Sequence, residues 1–246
     1  MGDEVPRTNA TVYFYASNEA QTNVYLNGNQ IAKGIRFTDN AAISVNVASN
    51  TLTIHGGGIG VAAGATGSHG INADVVLAED QAWTNDAAVD FTVSGAVAGS
   101  RTLAKRGAGR IVLAAHDSTF SGALAVDAGA LQIRGTNALG TTVGGTVVAD
   151  GAALELHGGG SAVRFAAEPV TLSGTGIANG GALRFLQNGV DFRGPIALAA
   201  DARIQAAADS PTASGNVDLG AHTLYVGVDG TELTLSGNLS GTRTDG

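Results

Sequence analysis

Apolar and polar residues alternate over short stretches along the whole chain: Thr11 to Tyr15, Ile43 to Val47, Leu52 to Ile54, Val89 to Val93, Ile111 to Leu113, Leu131 to Ile133, Leu154 to Leu156, Leu183 to Phe185, Ile196 to Leu198, Leu224 to Val226 and Leu233 to Leu235. Each stretch is bounded by Gly, Asn, Asp or Ser, and its apolar members sit two positions apart. That spacing puts them on one side of a strand, with Thr, Gln, Glu or Arg on the other. The pattern predicts many short strands joined by tight turns. No window of a dozen residues carries an amphipathic helical stripe.

The chain also resembles itself. Leu52-Thr53-Ile54-His55-Gly56-Gly57-Gly58 returns as Leu154-Glu155-Leu156-His157-Gly158-Gly159-Gly160, about 102 positions later. Val75 to Asp80 returns as Ile196 to Asp201 at an offset of about 121, and Thr92 to Thr102 as Thr234 to Thr244 at about 142. The offsets therefore grow in a quantum of about 20 residues. A stacked solenoid explains it, because one whole extra coil keeps later strands in register and a partial coil breaks the ladder.

About 20 residues make one coil of three short strands, which predicts an all-β parallel β-helix of about twelve coils, roughly 60 Å long at about 4.8 Å per coil. A single coil buries too little apolar surface to offset the ordering of its backbone, so neighbours supply ladder bonds and shared core. Residues 1–246 read as one continuous segment. Within it, residues 1–40 hold Tyr13, Phe14, Tyr15, Tyr25 and Phe37, five of the 12 aromatics, and suggest an atypical first coil or cap. The lone Trp83 falls opposite Ile204 in the internal alignment and is expected in the core.

Composition sharpens this picture. Gly accounts for 37 of the 246 residues against only 4 Pro, which excludes collagen and argues against a helical domain. With no Cys there are no disulfides, thiolate metal sites or cysteine nucleophiles. A net charge of -8, with Lys33 and Lys105 the only lysines, repels nucleic acid. The longest nearly apolar run, Ile59 to Ala65, is far too short to span a membrane as a helix. Met1 to Pro6 has neither the basic start nor the apolar run of an export signal, so export would make this chain an excised piece of a longer protein.

Leu103-Ala104-Lys105-Arg106-Gly107-Ala108-Gly109-Arg110-Ile111-Val112-Leu113, then Phe120-Ser121-Gly122 and Val126-Asp127-Ala128-Gly129-Ala130-Leu131-Gln132-Ile133, resembles the passenger-associated repeat of bacterial autotransporters. This copy departs from the family at Ala114-Ala115-His116, where a Ser-Gly turn is usual, and at Phe120, where Tyr is usual. The resemblance implies a right-handed parallel β-helix in a secreted or surface-displayed passenger, with an outer-membrane translocator barrel downstream. It implies adhesion to host-surface or neighbouring-cell molecules, or self-association, and transfers no catalytic residue.

Other motifs read as scaffold. His55-Gly56-Gly57-Gly58 and its copy at His157 resemble an oxyanion-hole loop, but no Ser is flanked by Gly two positions before and after, so a Gly-rich turn following a strand is expected. His55, His69, His116, His157 and His222 never pair at metal-binding spacings and read as solvated turn residues. Gly57 to Ala62 approaches a calcium-binding nonapeptide but has Ala62 where the ligand Asp belongs, and Gly174 to Gly180 is one residue too long for a dinucleotide fingerprint. For a β-helical carbohydrate-active enzyme, the alternative, the candidate acid pairs are Glu79 with Asp80, Asp86 with Asp90 and Asp191 with Asp201. A surface-anchored structural repeat without a translocator is the other alternative. The expectation is a non-enzymatic rod with no catalytic, cofactor or metal site.

Overall fold

A strand with apolar residues on one side needs something to bury them against, and here each strand finds it in the coil that contains it. The structure, a computed structural model, describes residues 9–15, 22–47, 50–160 and 162–242. Among them the only helix is a 3-10 turn, Ile177–Asn179; everything else regular is strand. All pairings between strands are parallel, as a solenoid requires.

Three ladders run along the molecule. The first face starts at Thr11–Phe14 and climbs through the second half of Thr51–Val61, Gln81–Asn85, Leu103–Arg106, Leu124–Val126, Thr146–Val148 and Val170–Gly174 to Leu239–Ser240. The second face starts at Asn23–Leu26 and passes through Phe91–Val93, Ile111–Leu113, Ala130–Ile133, Ala153–Leu156 and Leu183–Phe185 to Leu224–Val228. The third face holds Asp74–Leu77 and Val97–Ala98, thins to scattered bonds such as Phe120 N–H to Val97 O and Thr141 N–H to Phe120 O, then resumes as a four-stranded sheet from Arg164–Phe165 to Thr234–Leu235.

A register step is 21 residues from Leu103 to Leu124 and 22 from Leu124 to Thr146. The chain makes about ten turns of about 22 residues, fewer and longer than the expected twelve of about 20. At about 4.8 Å per coil the rod is about 48 Å long. The reason for the discrepancy lies in the repeated blocks: Leu52 is on the third face and Leu154 on the second, Val75 on the third and Ile196 on the first, Thr92 on the second and Thr234 on the third. The blocks share a strand-and-glycine pattern used on every face, so their offsets do not measure whole coils.

Inward side chains stack into columns. On the first face Ile59, Trp83, Lys105, Val126, Val148, Leu172 and Leu198 succeed one another in register; on the second, Phe91, Ile111, Leu131, Leu154, Leu183 and Ile204 do. Trp83 is in the core as expected, but its register partners are Ile59 and Lys105 and not Ile204. Near the first coils Phe14, Phe37, His69 and Phe91 form an aromatic stack, with Phe37 5.3 Å from Phe14, 5.0 Å from His69 and 5.5 Å from Phe91.

Lys105 is a charge inside this column, 1% exposed. Its ammonium donates to the carbonyls of Gly107 at 2.7 Å, Gly109 at 2.5 Å and Ala128 at 2.6 Å. The stretch Lys105 to Gly109 thus has a structural meaning: a lysine inside the rod pins the turn from first to second face, and the next coil with it. Burial pushes the Lys105 pKa down to about 8, against the pull of Asp86.

The corner from third to first face is a column of stacked glycines. A Cβ on Gly122, Gly144, Gly194, Gly215 or Gly237 would lie only 1.9, 1.8, 1.9, 1.9 and 2.1 Å from a carbonyl oxygen of the coil beneath. Glu168 interrupts the column, sitting beneath Gly194, and is 2% exposed.

Candidate functional site

The second face has an outward row in which Thr92, Val112, Gln132, Glu155, Arg184 and Gln205 follow in register. Outward residues of a sheet are normally solvated, yet Gln132 and Glu155 are 3% and 1% exposed. Arginines lie across them. Arg134 Nε donates to Gln132 Oε1 at 2.8 Å, and Arg203 Nε to Gln205 Oε1 at 2.9 Å.

Glu155 is the centre of this arrangement. Its Oε2 accepts from Arg110 Nε at 2.8 Å and from Gln132 Nε2 at 3.3 Å, and its Oε1 from Arg184 Nη1 at 2.8 Å. Arg110 also donates through Nη1 to Asp90 Oδ1 at 3.2 Å. Burial disfavours the charge on Arg110, but Glu155 and Asp90 outweigh it and raise the pKa. The Arg110 guanidinium is therefore held both in charge and in place, and Arg184 is held in place by its bond to Glu155.

Beside this network runs a groove of about 420 Å³ along the edge between the first and second faces, lined by Asp86, Asp90, Arg110, Glu155 and Arg184, with Ala87, Ala88, Ala130 and Ile177 as apolar wall. The loop following Val170–Gly174 supplies Ile177 and is strained: Ala178 and Asn179 are left-handed at φ 49 and 60. The Thr175 hydroxyl donates to Asn179 Oδ1 at 2.7 Å and holds the loop shut on itself.

Of the three acid pairs, the structure brings Asp86 and Asp90 into this one groove and ties the others into the scaffold. Asp80 Oδ1 accepts the Thr102 N–H of the coil above at 2.8 Å, and Asp201 Oδ1 that of Thr223 at 2.7 Å. Asp191 is on the third face, accepting from the Ser214 hydroxyl at 2.7 Å, whereas Asp201 is at the bend between the first and second faces, so these two form no pair. Arg110, Glu155 and Arg184 were not singled out from the sequence; a charged residue at the outward place of an alternating strand, as in Leu154-Glu155-Leu156, was the available signal.

The glycine-rich motif His55 to Gly58 is a strand, not the expected turn. It lies within Thr51–Val61, which bends round from third to first face. Gly58 (φ 62) permits the bend, since a Cβ there would come 2.0 Å from Ala82 O. One backbone N–H of the motif does hold an anion, but one of the chain's own: Glu79 Oε2 accepts from the Gly56 N–H at 2.9 Å, and Glu79 Oε1 meets the His55 side chain at Nδ1 at 2.9 Å. The hydrogen bond to His55, then that from Gly56, lowers the Glu79 pKa. At the copy, Gly160 N–H donates to Gln187 Oε1 at 2.8 Å.

His69 departs from the solvated position expected of it and is 2% exposed. The Ile43 N–H donates to its Nδ1 at 3.2 Å, and its Nε2 donates to Asp39 O at 3.1 Å, a pairing that requires the neutral ring. Burial lowers its pKa, opposed by the Asp39 carbonyl and charge. Gly174 to Gly180 is the end of a strand and a loop, as expected of a turn. Among the described residues no group of three or more His, Asp or Glu is placed to hold a metal ion, and no helix is long and apolar enough to cross a membrane. No protein-family model, curated protein or solved structure matches this chain.

Proposed function

We propose that this chain is a rigid rod, a non-enzymatic segment of a passenger that is secreted or displayed on a bacterial surface, whose length and stiffness are its contribution. The observation that carries the reading is the uninterrupted first-face ladder from Thr11–Phe14 to Leu239–Ser240, in which every coil sets the register of the next. Corner side chains reinforce it at a constant interval. Asn29, Asp74, Asp80, Asp201, Asp209 and Asn216 each accept a backbone N–H from the residue 22 positions on. Four of the 21 acidic residues thus serve to join coils.

The passenger-associated pattern at Leu103 to Ile133 supports the surface assignment, with a translocator barrel elsewhere in a longer protein. Adhesion to host or neighbouring cells, or association between copies, is the use such a display serves.

Coil deletion tests the rod. Removing residues 103–123, one register step of 21, is expected to leave a folded molecule about 4.8 Å shorter by small-angle scattering. Removing residues 103–113 breaks the register and is expected to unfold the neighbouring coils. Surface display is tested by probing an epitope-tagged full-length protein on intact cells with protease. A tag that stays protected, or a scattering profile of a sphere, overturns the assignment.

A further inference from the structure

The aromatic-rich start of the chain divides by side. Phe14 and Phe37 enter the aromatic stack, whereas Tyr13, Tyr15 and Tyr25 face solvent at 61, 72 and 76% exposure. Tyr13 begins an outward row on the first face that continues through Arg36 and Gly60 to Thr84, three register steps or about 14 Å along the axis. A groove of about 360 Å³ follows this row, with Asp86 also in its lining. Glycine sets its floor. Gly60 has no Cβ, and the Arg36 side chain takes that space, since a Cβ would come 3.0 Å from its Cδ and 3.2 Å from its Nε. There Arg36 Nη1 donates to Ile35 O at 2.7 Å and Gly58 O at 3.3 Å, and Nη2 to Gly57 O at 3.0 Å. The guanidinium is thus held flat on the sheet, with the fork that would take a carboxylate largely spent on main chain.

We propose that this groove binds a short neutral oligosaccharide, with a pyranose C–H face on the Tyr13 ring and sugar hydroxyls exchanging hydrogen bonds with Thr84 and donating to Asp86. The face of an aromatic ring is electron-rich and attracts the weakly positive C–H bonds of a sugar face. Thr84 both donates and accepts, and the Asp86 carboxylate accepts, which together suit hydroxyls. Acidic ligands are disfavoured by Asp86, by the spent guanidinium and by the net charge of -8. A basic peptide is disfavoured by the Arg36 cation beneath the groove. The groove also runs across the strands, and Thr51–Val61 and Gln81–Asn85 beneath it are each paired on both sides, so they offer a peptide no free backbone edge.

The test is isothermal titration of the whole chain with lacto-N-tetraose, maltotetraose and cellotetraose as neutral probes, and with tetragalacturonate and tetralysine. At least one neutral probe is expected to bind, tetragalacturonate about tenfold more weakly than that probe, and tetralysine not measurably. Tyr13→Phe, which keeps the ring, is expected to bind as wild type does, and Tyr13→Ala about fivefold or more weakly. Thr84→Val keeps the shape of the side chain without its hydroxyl and is expected to weaken binding about threefold or more. Both positions point outward from the core, so melting curves are expected to stay unchanged. No heat with any neutral probe, tetragalacturonate or tetralysine binding as tightly as the best of them, equal losses in Tyr13→Phe and Tyr13→Ala, or undiminished binding in Tyr13→Ala or Thr84→Val would each overturn the proposal. The site gives the adhesive use a ligand class and rests on that reading for its setting. The titration is made in solution, so its failure leaves surface display standing, and a failed protease test leaves the site standing.

Discussion

Glu155 and Arg184 stand directly opposite each other in neighbouring strands of the second face, and Arg184 Nη1 reaches Glu155 Oε1 at 2.8 Å. The carboxylate is 1% exposed while Arg184 and Arg110 retain 27% and 36%, so one buried anion answers to two cations that still touch water. An isolated buried charge is costly, and a paired one is tolerated only while its partners remain. Removing the carboxylate frees two cations that can turn to solvent, which moderates the loss. Glu155→Gln is expected to lower stability by about 1 to 3 kcal/mol, read as a shift in urea midpoint with unchanged slope.

A charged residue in an apolar column is informative about why it is there. Lys105→Met has nearly the same length and the better hydrophobicity, so a column that needed only packing would gain from it. Three carbonyls, of Gly107, Gly109 and Ala128, would instead lose their donor. Orphaned buried acceptors cost about 1 to 3 kcal/mol each at most, partly recovered by the added apolar contact. A net loss of about 2 kcal/mol is expected by denaturant unfolding, with faster hydrogen exchange of the amides from Gly107 to Gly109.

These two residues also show what the sequence could and could not reveal. Ile111–Leu113 and Leu183–Phe185 match the alternation residue for residue because their inward places are all apolar. Gln81–Asn85 and Leu103–Arg106 are missed by the same criterion, since Gln81, Asn85 and Lys105 occupy inward places and break the alternation. Each is satisfied by bonds to main chain that exist only once the coil closes, as when Gln81 Nε2 donates to Ile54 O at 3.0 Å. The groove was half legible. Asp86 and Asp90 are four apart and read as a pair, whereas Arg110 and Arg184 are 45 and 29 residues from Glu155 and meet it only through stacking.

Glycines divide sharply by what lies beyond their Cα. A Cβ on Gly215 would be 1.9 Å from Gly194 O, in the interior of a corner column where neither backbone can retreat alone. Gly64 has nothing within 4 Å and a negative φ. Gly215→Ala is expected to cost about 1 to 3 kcal/mol, as overpacking does. Gly64→Ala is expected to be neutral or to stabilise by about 0.5 kcal/mol through the unfolded chain. Thermal melts of the two variants side by side distinguish a structural glycine from an incidental one.

Glu168 occupies a place that the column otherwise gives to glycine, and its carboxyl is turned inside with Oε2 unpartnered among the described residues. Burial raises its pKa to about 7, opposed by the Gly145 N–H. A carboxyl whose folded pKa lies above the unfolded value of 4.5 stabilises the fold fully below pH 4.5, and that contribution disappears as pH rises through 7. The wild-type chain is expected to lose on the order of 2 kcal/mol between pH 5 and 8. Glu168→Gln is expected to flatten that limb, and a variant as steep as wild type would remove Glu168 as its origin.

His69 acts in the opposite direction. Its neutral ring receives the Ile43 N–H and stacks on Phe37 at 5.0 Å, and the added proton of an imidazolium would face that same N–H. With the folded pKa below 6.5, the stabilisation is complete above pH 6.5 and is lost as pH falls through 6.5 toward the folded value. The charged group facing the ring is Asp39, which eases protonation without supplying an acceptor for the second N–H. In Glu168→Gln, where the opposing carboxyl no longer titrates, urea midpoints are expected to fall on the acid side of pH 6.5. In the double variant that adds His69→Gln, whose amide oxygen still accepts from Ile43 but does not titrate in this range, the acid limb is expected to flatten. Persistence of the full limb in that variant would assign it to the carboxylates that join the coils.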